Sequence, residues 1–100
     1  MPLTAERKKS LRSLGHNLKP VVTVAGKGLT EGVMEEVERA LEDHELIKVK
    51  LMVADRELRH QVVGELCEKS GAELVQEIGK VALIFRAADK PKARTSNLLR

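Results

Sequence analysis

Aromatic rings are almost absent from this chain: Phe85 is its one phenylalanine, and tryptophan and tyrosine do not occur. Domains that read single strands by stacking bases on Phe, Tyr or Trp are therefore disfavoured, and any nucleic-acid contact must run mainly on phosphates and shape. Cysteine is nearly as scarce. Cys67 stands alone and can form no internal disulfide; beside Leu66 it reads as a core position rather than a reactive thiol. No apolar run approaches the roughly 20 residues that a spanning helix needs. The start, MPLTAERKK, carries charge with no hydrophobic stretch behind it, so no signal peptide is expected. The expected compartment is the cytoplasm.

What is present is one domain's worth of chain, 100 residues with an ordinary apolar share of 42%, long enough for a single core without metals or disulfides. The net charge of +3 is modest, but its distribution is uneven. Residues 1–28 sum to +5, residues 29–79 to −7 and residues 80–100 to +5. Basic ends around an acidic middle allow a positive face on a soluble domain.

Helix and strand signals alternate along the chain. Thr4 is a plausible N-cap for a helix over residues 4–15, in which Leu11 and Leu14 lead on to Leu18 and Arg7 begins the same stripe. Lys8 and Arg12 lie one turn apart on a neighbouring face, near Lys9 and His16. Gly15 is expected to end this helix, before a short strand over Val21–Val24. Thr30 caps a second helix to about Asp43, with Val33, Val37, Ala40 and Leu41 inward. Ile47–Val53 alternates cleanly and sends Lys48 and Lys50 away from the core, implying a sheet covered on one face. Asp55 caps a third helix, with Leu58, Val62 and Leu66 inward, and Gly71 stops it. Leu74–Ile78 and Val81–Phe85 form a hairpin across Gly79-Lys80. The expected class is α/β: one two-layer domain in the order α-β-α-β-α-β-β, with the first two strands parallel by the right-handed crossover rule. The domain is assigned to residues 1–86, and residues 87–100 read as a basic C-terminal tail with little to bury.

The stretch Ala25-Gly26-Lys27-Gly28, placed between a strand and a helix cap, invites a phosphate-binding reading. As a nucleotide site it fails on spacing: a P-loop needs G-x-x-x-x-G-K-[ST], but Gly28 follows Lys27 and Val21 stands where the first glycine belongs. A dinucleotide fingerprint fails too, because no G-x-G-x-x-G follows the strand. His16, His44 and His60 are scattered, and His60 with Cys67 lacks a partner at metal-ligand spacing. No Ser/His/Asp or Cys/His set stands out. Neither enzymatic activity nor a cofactor, nucleotide or metal is expected. Two readings of the loop stay open on this ground alone: a tight βα turn, or an anion site built on the helix start, with Lys27 adding a charge that Glu31 opposes.

Further residues narrow the choice. The runs LGHNLKPVV, GLTEGV and ERALEDHELIKVK, then DR and a late IGK, resemble in unbroken order the CRM family of RNA-binding domains, in the single-domain bacterial form called YhbY-like. The resemblance spans roughly residues 3–86. It implies a four-stranded mixed sheet similar to the C-terminal domain of translation initiation factor 3. It also implies RNA binding, association with precursors of the large ribosomal subunit, and no enzymatic role. The family's loop reads G-x-x-G before the second helix; here Gly28 matches the second glycine and Ala25 replaces the first. A positive φ at Ala25 would be strained, so Gly26 is expected to supply the flexibility. The expected RNA surface comprises Lys8, Lys9, Arg12, His16 and Lys19 as one bank, Gly26, Lys27 and Gly28 as the loop with Thr30 fixing the helix start, and Arg86 with the tail as an extension. A monomer is expected, with no membrane partner. The alternative is a protein-interaction module docking a ribosomal protein or assembly factor through its acidic helix faces.

Overall fold

The computed structural model describes residues 3–90, 92 and 96–98. In chain order the elements are α1 (Ala5–Gly15), β1 (Pro20–Val24), α2 (Glu31–His44), β2 (Leu46–Leu51), α3 (Arg56–Ser70), β3 (Glu73–Ile78) and β4 (Val81–Phe85). The three expected N-caps do their work: Thr4, Thr30 and Asp55 each accept from the backbone N–H three residues on, filling one orphan donor per helix. Gly71 ends α3 in the left-handed conformation at φ 73°, where a side chain would be disfavoured.

The sheet order is β1-β2-β4-β3. Strand β1 runs parallel to β2, and β4 lies antiparallel to both β2 and β3. This is the expected α/β class with a four-stranded mixed sheet and three helices. The alternation of β2 divides the interior in two. Ile47, Val49 and Leu51 face α2 and α3, joining Val37, Leu41, Val63, Leu66 and Ile84 in the main cluster. Leu46 points the other way and meets Leu11 of α1, Val75 and Leu83 in a second, smaller cluster.

The expectation of a sheet covered on one face is therefore refined. Helices α2 and α3 cover one face, and α1 lies across part of the other, leaving the stretch around Lys48 and Lys50 open. The reason lies at Gly15, which belongs to the buried side of α1. A Cβ there would fall 2.6 Å from a methyl carbon of Leu83. Gly15 is thus a contact residue, and His16 takes the C-cap position in ordinary right-handed geometry. The inward stripe of α1 is Leu11–Gly15–Leu18, and Leu14 is 49% exposed. On α3 the inner face likewise runs through Val63, Leu66 and Ser70, leaving Leu58 51% exposed.

The C-terminal segment has more to bury than its composition suggests. Ser96 is buried and donates through its hydroxyl to Glu45 Oε1 at 2.7 Å. The Ala88 N–H donates to the other carboxylate oxygen at 3.0 Å, and Leu98 packs against the smaller cluster. Lys92 pairs with Asp43, and its ammonium holds that carboxyl below the usual range. Glu45 itself is buried at φ 63°, the one non-glycine with positive φ among the described residues. It closes α2 through its N–H to Leu41 O, and its carbonyl accepts from the Arg86 N–H as the chain leaves β4.

Candidate nucleic-acid interface

The loop after β1 is a compact turn with an exposed tip. The Gly28 N–H donates to Ala25 O at 2.9 Å, and the Thr30 N–H donates to Gly28 O at 3.1 Å. Only Gly28 takes a positive φ, at 78°. Ala25 is therefore unstrained in the place of the family's first glycine, and the flexible role falls to Gly28 rather than to Gly26. No atom lies within 4 Å of where a Cβ would sit on Gly26 or Gly28, so both stand open to an approaching ligand. Lys27 is exposed between them, just ahead of the positive end of α2. A β-branched residue at position 28 would pay the left-handed penalty of about 1–2 kcal/mol. Gly28→Val should thus lower stability by about that amount, whereas Gly26→Ala should leave it unchanged; paired urea melts check the contrast.

The other expected bank lies at the far end of the sheet. Lys9, Arg12 and His16 are exposed on α1, Lys8 is partly buried, and Lys19 is exposed just before β1. Five residues of β1 separate Lys19 from the loop, a span of about 15 Å. The two banks do not touch, and what joins them was missed in the sequence. Lys48 pairs in register with Pro20, and Lys50 with Thr23; both project from the open sheet face along that path. Lys48 Nζ donates to His16 O at 3.2 Å, which fixes its ammonium at the end of α1. Lys80 sits at the hairpin tip across β2 from the loop: Leu51 N donates to Lys80 O at 2.7 Å on one edge of the strand's end, and Met52 N donates to Val24 O at 2.8 Å on the other. The cations run Arg12, Lys19, Lys48, Lys50, Lys27 along β1 and β2, with Lys80 flanking the line from the β4 side. The signal was the alternation Ile47-Lys48-Val49-Lys50, which placed both lysines outward but gave them no neighbours.

Arg86 is not brought to this face. Phe85 packs with the smaller cluster, so the next residue along the pleat points towards α2 and α3. There its guanidinium donates to Glu38 and Glu42 of α2 and to the Ser70 carbonyl at 2.8 Å. Arg86 is a clamp between strand and helices. Arg7 lies with its guanidinium carbon 5.6 Å from the centre of the Phe85 ring, covering the core edge as the start of its stripe suggested.

Among the described residues, no group of three His, Cys, Asp or Glu side chains could hold a metal ion, and no helix is long and apolar enough to cross a membrane. Burial, with help from Glu77 and Glu73, pushes the Cys67 thiol up to about 11. The thiolate is the reactive form, so iodoacetamide at pH 8 should modify native Cys67 far more slowly than the urea-unfolded chain, as mass spectrometry can follow.

The chain is thus a small mixed α/β domain with a glycine-bounded turn at a helix start and lysines projecting from an open sheet face. The chain is a member of the CRS1 / YhbY (CRM) domain family, whose model matches residues 3–86. It is 56% identical to a protein of Pseudomonas aeruginosa named a probable RNA-binding protein, over 100% of this chain and 96% of that one. A Haemophilus influenzae protein named an RNA-binding protein is 42% identical, over 90% of this chain and 91% of its own. Among solved structures, that of a hypothetical protein from Staphylococcus aureus superposes with a TM-score of 0.79 at 32% identity, covering 89% of this chain and 93% of that one.

Proposed function

We propose that this protein binds RNA through the open sheet face, without catalysis, and that it does so on precursors of the large ribosomal subunit. The observation that carries the reading is the line of cations from Arg12 through Lys48 and Lys50 to Lys27. It crosses a face with no acidic side chain among the residues that β1 and β2 project there. Such a line tracks a phosphate backbone, and family membership with relatives named for RNA binding supports it. The acidic helix face is the weaker candidate surface, because Glu38 and Glu42 already hold Arg86 and Asp43 holds Lys92.

Sedimentation of cell extracts tests the subunit assignment. The protein should travel with large-subunit precursors rather than with mature translating ribosomes, and RNase treatment of a pulled-down complex should release its partners. Retention of a protein partner after complete RNA digestion would instead favour docking through the acidic face.

A further inference from the structure

Between the end of α1 and the β3–β4 hairpin, the open sheet face holds a groove of about 350 Å³, with His16, Leu18 and Pro20 on one side and Gln76 and Ile78 on the other. Its floor is Val81 and Leu83, and Lys48 stands at its rim. The volume is in the range of roughly 300–1,000 Å³ usual for small-ligand clefts. Two register breaks flank it. One, in β1 between Pro20 and Val22, sets Pro20 at the groove edge. The other, in β3 between Leu74 and Gln76, turns Gln76 to face Leu83, as bulges often re-aim a side chain.

Resting on the RNA-binding reading above, we propose that this groove seats the base of one unpaired nucleotide while Lys48 and Lys50 hold its flanking phosphates. The charge around the groove selects an anionic partner. Its apolar floor selects a flat uncharged part of that partner, and a nucleotide joins the two. The Gln76 amide can both donate to and accept from a base edge. Of the three ammonium donors on Lys48, the His16 carbonyl takes one, which steadies the group with donors to spare. A base inside a duplex cannot enter, because its faces are stacked and its edge is occupied. The contact here is mainly aliphatic, with the His16 imidazole as the single ring on the lining and no Phe, Tyr or Trp, and Ile78, 64% exposed, forms its lip. This gives a protein with no Trp or Tyr and a single Phe a way to recognise an unpaired nucleotide.

The test uses the full chain and two blunt-ended RNA duplexes of equal charge, one fully paired and one in which an unpaired nucleotide interrupts a strand, carrying 2-aminopurine at that position. The wild type should bind the interrupted duplex roughly tenfold more tightly, the weight of one seated base, with a change in 2-aminopurine emission. Gln76→Ala with Ile78→Ala, both at accessible positions, should bring the two affinities to within about twofold while leaving the paired duplex's affinity and the melting temperature in place. Equal binding of both duplexes by the wild type would overturn the groove assignment and leave RNA binding standing. Binding of neither would overturn the RNA reading itself. A preference that survives the double variant would place the unpaired nucleotide elsewhere.

Discussion

Replacing Lys48 by Gln and Lys50 by Glu together should lower RNA affinity by one to two orders of magnitude at low salt, with little loss of stability. The two lysines occupy the middle of the cation line, opposite Pro20 and Thr23, so a backbone spanning from α1 to the loop must pass them. Glutamine at position 48 keeps an N–H donor for the His16 carbonyl, so the end of α1 is not sacrificed. Each phosphate contact on single-stranded RNA contributes roughly 0.7 to the slope of log affinity against log salt, and losing two should flatten it by about 1.4. Fluorescence anisotropy across a salt series reads both quantities. Lys69→Glu is the control, since Lys69 borders a cleft between α2 and α3 on the covered side. If this control matches the double variant in both affinity and slope, the contact is general attraction to a basic protein and the sheet face has no special part in it.

Leu11→Ala should cost about 3–5 kcal/mol, the upper part of the range for a buried leucine. Leu11 is wholly buried and is the one large side chain that α1 commits to the interior. Its neighbours Leu46, Val75 and Leu83 sit on paired strands, so the walls cannot relax into the space left behind. The cavity term then adds to the lost transfer energy. Leu14→Ala, one turn position away and half exposed, should stay within about 0.5 kcal/mol. Urea melts of both variants decide the matter: equal costs would mean that α1 is seated on the wrong stripe. A smaller m-value for Leu11→Ala would show α1 leaving the sheet before the rest unfolds.

What could be read in advance was local. Thr4, Thr30 and Asp55 each cap a helix through a hydrogen bond to the N–H three residues on, so the sequence carries the whole interaction. The hairpin at Gly79-Lys80 and the pleat of β2 are equally self-contained. The misplaced features all depend on partners distant in the chain. Gly15 looks like a helix stop, and only Leu83 reveals it as a point of close approach. Arg86 looks like part of a basic surface until strand parity turns it onto Glu38 and Glu42. Ser96 looks like tail, and Glu45, 51 residues earlier, makes it core. The site divides in the same way. The turn at Lys27 was legible because its glycines flank one residue, whereas the line through Lys48 and Lys50, with Lys80 beside it, needed the sheet order.

The two separate apolar clusters also set a rhythm for the molecule. Amides in β2 and β4 lie between both clusters and should exchange with solvent only when the whole domain opens. Those of α1 depend on Leu11 and the small cluster, so this helix should open as a unit of its own at a lower free energy. The hinge is the short connection through Asn17, and the latch is the Lys48 bond to the His16 carbonyl. A polyanion lying across Arg12 and Lys50 would span that joint. Its arrival should slow hydrogen exchange along α1 more than anywhere else in the chain, turning a leaf that breathes in the free protein into one that is shut while occupied.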